Sequence, residues 1–392
     1  MAIKLLHVVA CGAVLATLAL ARPTLAEDGV TAEKIVFGQV AALDGPAAAL
    51  GQGMRDGLLA AFAEANRAGG VKGHQLVLNA VNDGYEPNRS IAAAKQLITG
   101  DKVFALVGSV GTPTSAAVQP IAAEAGVPFI GAFTGAEFLR DPYKPNVVNV
   151  RASYFQETET MVEHLTKDLG VTRIAIFYQD DAYGQAGLAG VKRALDQRHM
   201  QLVAEGTYER NTIAVKGALL AIKKADPEAV IMIGAYLPSA EFIRLARLVQ
   251  LNATFINISF VGPDALAKEL GRSGAGVVVT EVVPFPSDRS IGIVGKYQVA
   301  LAALQPDAKP NFVSLEGYIV GRLVVEALEK IPGAITRQAL LDVIAKTGSF
   351  DMGGMKLVYG PDNNRGSSQV FLIVIQADGS FKPIAQLAKI GG

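Results

Sequence analysis

Cysteine and tryptophan are almost missing from this sequence of 392 residues. The chain has one cysteine, Cys11, and no tryptophan. Because Cys11 lies within the first 26 residues, the remainder can form neither an internal disulfide nor a thiol-dependent active site. A small fold held together by disulfides is therefore excluded. Stability has to come from an apolar core, which a chain with 50% hydrophobic residues can build.

A strong net charge of either sign is also absent. The chain has 36 basic and 36 acidic residues. Two of the basic residues, Lys4 and Arg22, lie in the first 26 positions, so the remainder carries a charge of about −2. Without a basic excess, nucleic acid is not an expected partner.

Long apolar runs are limited to residues 5–20. Lys4 precedes this run, and the small-residue pattern Thr24-Leu25-Ala26 follows it. A charged start, a short apolar stretch and a small-residue site together predict a secretory signal peptide over residues 1–26. The run is short for a membrane span, and no later stretch of the sequence resembles one.

Motifs for catalysis are also lacking. The glycines of Gly108-Ser109-Val110-Gly111 do not have the spacing of a nucleotide-binding loop. The histidines outside the leader, His74, His164 and His199, are scattered and form no pattern of metal ligands or of a catalytic triad. Asp180 and Asp181 follow a strand and are interpreted as cleft-rim or capping residues. We therefore expect no enzyme, no metal and no cofactor.

What the sequence does contain is a regular alternation of short apolar runs and helical patterns. This alternation predicts an α/β fold in which helices cover both faces of parallel sheets. The arrangement of strand, glycine, turn, proline and helix at 103–125 occurs again at 229–250, which indicates the same architecture used twice. Predicted strands lie at 35–40, 76–79, 103–107, 127–131, 173–178, 202–204, 229–234, 255–261, 277–283 and 370–376, and predicted helices include 53–66, 88–99, 115–125, 157–169 and 187–198.

The most informative stretch is the turn that follows the strand at 103–107. The small residues at 108–111 let a backbone come close to a ligand. We predict Thr112 as the N-cap of the next helix and Pro113 as its first residue. Because a helix N-terminus favours negative charge, we predict that a ligand carboxylate binds here, with Ser109 among its contacts. The alternative is a well-formed strand–helix turn that binds nothing.

Six segments, in their order and spacing, resemble the type I periplasmic solute-binding proteins of ABC importers. They are similar to the branch of the leucine/isoleucine/valine-binding protein, and the resemblance covers the whole mature chain. The segments are GGVKG at 69–73, VGSVGTPTS at 107–115, IGAFTGAE at 130–137, NVRASY at 149–154, QDDAYG at 179–184 and LEGY at 315–318.

This resemblance implies two Rossmann-like lobes with parallel sheets, joined by a hinge of three crossover strands, with the ligand in the cleft between them. It implies that the lobes close on binding, that the protein is a periplasmic monomer, and that importer permeases are its partners. We assign residues 27–150 and 284–350 to the N-terminal lobe and residues 151–283 and 351–392 to the C-terminal lobe.

The resemblance also implies which residues contact the ligand. In the family, first-lobe hydroxyls and backbone N–H groups hold the ligand's carboxylate, second-lobe aromatic residues cover the ligand, and one first-lobe residue touches its side chain. The positions that match these roles are Thr112, Ala132 and Thr134 for the carboxylate, Tyr183 and Tyr236 for the aromatic residues, and Leu50 for the side-chain contact. A capping hydroxyl at Thr134 and a core aromatic residue at Tyr236 are the structural alternatives.

One position departs from the family pattern. Amino-acid binders hold the ligand's ammonium with an acidic residue, and Ser259 matches that position here. A buried ammonium without a carboxylate is costly, so we hypothesise a carboxylate ligand that need not carry an amine. A shifted alignment would make Asp264 the partner, although we expect it to cap a helix. Tyr85 and Tyr154 are further candidates to stack on an aromatic ligand.

A ligand sensor is the main alternative function, because receptors reuse two-lobed folds of this kind. In that case the chain would be a ligand-sensing domain that partners a membrane receptor or a kinase. The sequence shows no DNA-binding helix pair at its start. Importer genes beside this one would favour transport, and a histidine kinase gene would favour sensing.

Overall fold

The computed structural model describes residues 27–388. The predicted signal peptide at 1–26 lies outside the described residues. Within residues 27–388, no helix is both long enough and apolar enough to cross a membrane.

The first part of the chain builds a five-stranded parallel sheet with helices between its strands. Its elements are β1 Lys34–Ala41, α1 Ala48–Arg67, β2 Gln75–Asn82, α2 Pro87–Lys95, β3 Ala105–Val107, α3 Thr112–Glu124, β4 Phe129–Ile130 and β5 Val147–Val148. The strand order is β2-β1-β3-β4-β5. All residues of β3 and β4 are buried, as expected for short apolar strands covered on both faces.

The second part of the chain repeats this plan. Its elements are α4 Tyr154–Lys167, β6 Ile174–Gln179, α5 Ala182–Asp196, β7 Ala204–Tyr208, α6 Lys216–Lys224, β8 Ala229–Ile233, α7 Tyr236–Leu248, β9 Thr254–Asn257, α8 Pro263–Leu270 and β10 Val278–Glu281. Strands β6 to β10 pair in parallel and form a second sheet.

The last part of the chain contributes helices to the first lobe and strands to the second sheet. Its elements are α9 Gly292–Leu304, α10 Phe312–Glu329, α11 Arg337–Thr347, β11 Ser349–Asp351, β12 Lys356–Gly360, β13 Asn363–Gly366, β14 Phe371–Ile375 and β15 Phe381–Ile384. Helix α10 packs so closely on α1 that a Cβ on Gly57 would lie 2.0 Å from the carbonyl oxygen of Ser314. Strands β14 and β15 extend the second sheet antiparallel, so that sheet is mixed, in the order β15-β14-β10-β9-β8-β6-β7.

The chain passes between the two halves three times, after β5, after β10 and before β14. This architecture confirms the predicted fold class of two α/β lobes joined by three crossovers. Strands β11–β13 form a small sheet that is tied to the first crossover, where Asn149 N donates to Asn364 O at 2.9 Å. We therefore propose that the first lobe extends to residue 366, rather than ending near residue 350.

Several predicted element bounds are wrong. Helix α1 begins five residues before the predicted start, directly after a 3-10 turn at Gly45–Ala47. Strand β9 ends at Asn257, because residues Ser259–Val261 form another 3-10 turn. Helix α5 begins at Ala182, because the Asp181 carboxylate caps it by accepting a hydrogen bond from Tyr183 N at 2.9 Å.

Candidate functional site

The turn between β3 and α3 differs in one respect from its prediction. Gly111, not Thr112, is the N-cap of α3, and Pro113 is the second helical residue. Gly111 has φ 105°, which residues with side chains rarely adopt, and a Cβ there would lie 2.3 Å from Cε2 of Tyr85. Because Thr112 lies inside the helix, its hydroxyl does not cap the helix and pairs elsewhere.

Three hydroxyls meet at the start of α3, and we call them the hydroxyl cradle. Thr112 Oγ1 lies 2.7 Å from Thr134 Oγ1, and Thr134 Oγ1 lies 3.4 Å from Tyr154 Oη. All three side chains are at most 1% exposed. Ala132 lies directly beside them, since its carbonyl accepts a hydrogen bond from Thr134 N at 2.8 Å. The structure therefore brings together the positions predicted to hold a carboxylate.

Ser109 lies in the same turn and has no partner for its hydroxyl. Its side chain is 3% exposed, and Oγ makes no hydrogen bond within residues 27–388. The Ser109 carbonyl accepts a hydrogen bond from Phe133 N at 2.8 Å, which fixes the turn next to the segment after β4 that carries Ala132. A buried hydroxyl without a partner is costly, so Ser109 is suited to pair with a ligand.

Four rings from both lobes form an aromatic cluster, which we define as Tyr85, Phe133, Tyr183 and Phe260. The Phe260 ring centroid lies 4.5 Å from that of Tyr183, 5.3 Å from that of Phe133 and 6.0 Å from that of Tyr85. Tyr154 extends the cluster, at 5.7 Å from Tyr183. All of these rings are buried, so the two lobes are closed on each other.

Phe133 and Phe260 were not among the predicted site residues. Both are direct neighbours of predicted residues, because Phe133 lies between Ala132 and Thr134, and Phe260 follows Ser259. The predicted strand at 255–261 would alternate side chains across a sheet, whereas the 3-10 turn points Phe260 at the first lobe. Gly262 is a residue type that is common in turns, so it could have predicted that Phe260 lies in a turn. In the structure Gly262 has φ 72°.

Leu50 and Tyr236 line a pocket between the lobes of about 380 Å³. Asp264 also lines it, and burial raises the pKa of Asp264 to about 6. Asp264 does not cap its own helix. Its Oδ2 accepts a hydrogen bond from Phe312 N, at the start of α10, at 3.2 Å.

Ser259 is engaged by protein groups on both sides. Its N–H and its Oγ donate to the two carboxylate oxygens of Glu157, each at 3.0 Å, and Arg151 Nη2 donates to Ser259 Oγ. Thr280 Oγ1 also donates to Glu157, at 2.6 Å. A role for Ser259 in ligand contact stays a prediction. Sequence reasoning missed the acid beside it, because Glu157 lies a hundred residues earlier in the chain.

The residues around Ser259 form a buried ionic cluster, which we define as Arg151, Glu157, Glu281 and Glu316. Arg151 Nη2 lies 3.8 Å from Glu157 Oε1, and Arg151 Nε lies 3.7 Å from Glu316 Oε1. Burial raises the pKa of Glu316 to about 7, although Arg151 opposes the rise. Burial and the charge of Glu157 raise the pKa of Glu281 well above its ordinary value.

The cleft has no arrangement suited to a metal. No group of three or more His, Cys, Asp or Glu residues in the described part of the chain could hold a metal ion. His164 lies on α4, where its Nδ1 is 2.7 Å from Asp168 Oδ2. The groups that converge in the cleft can bind an anion and cover an apolar body.

Known proteins resemble this chain over most of its length. A family model described as periplasmic binding protein matches residues 34–380. The Leu/Ile/Val-binding protein homolog 7 of Brucella abortus is 25% identical over 85% of this chain and 87% of its own length. The leucine-specific-binding protein of Salmonella typhimurium is 22% identical, with the same coverage.

Solved structures also resemble this chain over most of its length. The crystal structure of a possible leucine/isoleucine/valine-binding protein from Rhodopirellula baltica SH 1 matches with a TM-score of 0.86 and 41% identity. The match covers 90% of this chain and 97% of that one. A leucine-binding protein from Thermotoga maritima, at 20% identity and a TM-score of 0.81, shares the fold over 89% of this chain and 97% of that one.

Proposed function

Because the chain belongs to the periplasmic binding protein family, we propose that it captures a small carboxylate-bearing ligand between its lobes and delivers it to an ABC importer. The chain is a periplasmic solute-binding protein of the Leu/Ile/Val-binding family. Members of this family bind solutes and do not transform them. We also propose that the protein is a monomer and that the permease subunits of the importer are its partners.

The observation that carries this proposal is the hydroxyl cradle at the start of α3. The paired hydroxyls of Thr112 and Thr134 and the unpartnered hydroxyl of Ser109 lie where the helix dipole favours negative charge. Hydrogen bonds from neutral donors to a charged acceptor are stronger than bonds between neutral groups. A carboxylate is therefore the ligand group that this end of the cleft suits best.

The mechanism is capture followed by closure. In the open form the ligand's carboxylate docks on the hydroxyl cradle of the first lobe. The second lobe then brings Tyr183 and Tyr236 over the rest of the ligand. The relatives named for leucine, isoleucine and valine suggest an apolar body of that size, and the aromatic cluster makes an aromatic acid an equally suitable ligand.

A thermal-shift screen of the secreted chain, residues 27–392, tests the proposal. The compounds are leucine, valine and phenylalanine, together with amine-free aliphatic and aromatic carboxylates, and neutral amides of the same acids serve as controls. A ligand at a hundred times its dissociation constant adds about 2.7 kcal/mol to the free energy of unfolding, which raises the melting temperature. Amides that stabilise the protein as much as the acids would contradict carboxylate recognition.

A further inference from the structure

Arg151 holds a buried positive charge at the junction of the two lobes. Its side chain is fully buried. On the first-lobe side the guanidinium lies 4.6 Å from the ring centroid of Phe133 and 3.7 Å from Glu316. On the second-lobe side it contacts Ser259 and lies 3.8 Å from Glu157. The guanidinium therefore connects the two faces of the closed cleft.

This charge also reaches the hydroxyl cradle. Burial raises the pKa of Tyr154, and the positive charge of Arg151 opposes that rise. The Tyr154 hydroxyl in turn lies 3.4 Å from that of Thr134. Phe133, on which the guanidinium stacks, directly precedes Thr134 in the chain. A carboxylate in the cradle would therefore lie within electrostatic range of Arg151.

The guanidinium still has donors to offer. Its Nε and Nη1 make no hydrogen bonds within residues 27–388, although both atoms are buried. Arginine has five N–H donors, and leaving charged donors unpaired in a dry site is unfavourable. These donors can be satisfied by an anionic group that enters the cleft.

The neighbouring acids do not offer a matching site for a ligand cation. Glu157 accepts hydrogen bonds on both oxygens, from Ser259 and from Thr280. Glu316 has Arg151 as its nearest basic partner. Glu281 has an unpartnered Oε1, but burial and the charge of Glu157 raise its pKa well above its usual range, which disfavours the carboxylate form that would attract an ammonium.

We propose that Arg151 determines specificity, because it supplies the positive charge that faces a ligand carboxylate and repels a ligand ammonium. The cleft then selects amine-free carboxylic acids over amino acids of the same shape. This inference rests on the proposed function and narrows its ligand class. Within this site the guanidinium of Arg151 pairs with Glu157 and Glu316, as the ammonium of an amino-acid ligand would otherwise do.

Calorimetric titration of matched pairs tests the proposal. The pairs are 4-methylpentanoate with leucine and 3-phenylpropionate with phenylalanine, which differ in each case by the amine. We expect the native protein to bind the amine-free acid about tenfold more tightly or better, because like charges in a closed site repel strongly. Equal affinities, or tighter binding of the amino acids, would overturn the inference while leaving the proposed function intact. If no acid of either kind binds, the proposed function itself fails.

Variants then assign the preference to Arg151. Arg151→Met should reduce the ratio of the two affinities by about tenfold, and Arg151→Lys should preserve most of it because the charge remains. Since Arg151→Met leaves buried acids unpaired, the double variant Arg151→Met with Glu157→Gln provides a form with less unbalanced charge. Arg193→Met is the matched control, because Arg193 stacks on Phe155 at 5.0 Å at an exposed position. An unchanged ratio in both Arg151→Met forms would refute the role of Arg151.

Discussion

The two lobes use the same strand-to-helix turn in different ways. In the first lobe β3 leads through Gly108 and Gly111 into α3, and in the second lobe β8 leads through Gly234 into α7. Both helices carry a proline near their start. The first turn contains two glycines with positive φ, whereas Gly234 and the N-cap Ala235 have no such backbone.

The difference lies in the polar groups of the turn itself, because both helices carry a serine hydroxyl near their start that has no partner within residues 27–388, Ser115 in α3 and Ser239 in α7. In the second turn Ala235 N donates to Tyr208 Oη at 3.0 Å, so this backbone donor is consumed inside the lobe. In the first turn the Ser109 hydroxyl has no partner within the described residues. The same backbone plan therefore gives a polar cradle in one lobe and an aromatic cover in the other, where Tyr236 opens α7.

The largest expected effect comes from removing the polar groups of the first turn. The double variant Thr112→Val and Thr134→Val should weaken carboxylate binding by about 2–4 kcal/mol, because two hydrogen bonds to a charged group are lost. Calorimetric titration with the best acid from the screen measures this loss. The control is Thr99→Val with Thr166→Val, since those hydroxyls bond only to backbone carbonyls three or four residues earlier in the chain. Unchanged affinity in the first pair would remove the cradle from the site.

A glycine exchange in each turn has an intermediate effect. Gly111→Ala should lower the free energy of unfolding by about 1–3 kcal/mol, because a side chain is strained at φ 105° and its Cβ meets the Tyr85 ring. Gly234→Ala should cost less than about 1 kcal/mol, since its nearest contact is the Ser239 hydroxyl, which can rotate away. Urea unfolding of both variants makes the comparison. Equal losses would show that the first turn is not specially constrained.

The most gradual effect, which is spread over several pH units, concerns Glu316, a buried acid of the first lobe. Burial raises the pKa of Glu316 from 4.5 to about 7, so the folded state holds a proton that the unfolded state releases. Its stabilising contribution is complete below pH 4.5 and is lost as the pH rises toward 7. The loss can reach about 1.4 kcal/mol per pH unit over that window.

Replacing Glu316 with glutamine removes this titration. The free energy of unfolding of Glu316→Gln, measured with urea from pH 5 to pH 8, should therefore fall less steeply with pH than that of the native protein. Glu329→Gln is a suitable control on the same helix, because the Glu329 side chain is exposed. Parallel curves for the native protein and Glu316→Gln would contradict the raised pKa.

Much of the fold could be predicted from the sequence, because the order of elements follows from local periodicity. The apolar runs that became β3, β8 and β10 are recognisable in isolation. The antiparallel direction of β14 and β15 was not predicted, because it depends on the pairing of β14 with β10, about ninety residues earlier. Local sequence contains no information about that pairing.

Part of the candidate site could also be predicted, because some of its residues directly follow predicted strands. Thr112, Ala132 and Thr134 are found together, since each follows a strand at one edge of the first sheet. The interaction of Ser259 with Glu157 and Arg151 joins two segments that are about a hundred residues apart in the chain. Such a cluster depends on how distant segments meet in the fold, and a single sequence does not reveal it.

The late arrival of β14 has a consequence for biosynthesis. Neither lobe is continuous in the chain, because α1 packs on α10 and β10 pairs with residues 371–375. While the chain is being synthesised from its N-terminus, the first core stays incomplete until α10 has been made, and the second core stays incomplete until β14 and β15 have been made. Contacts over such separations also form slowly. Neither lobe can therefore finish folding until most of the polypeptide has been made.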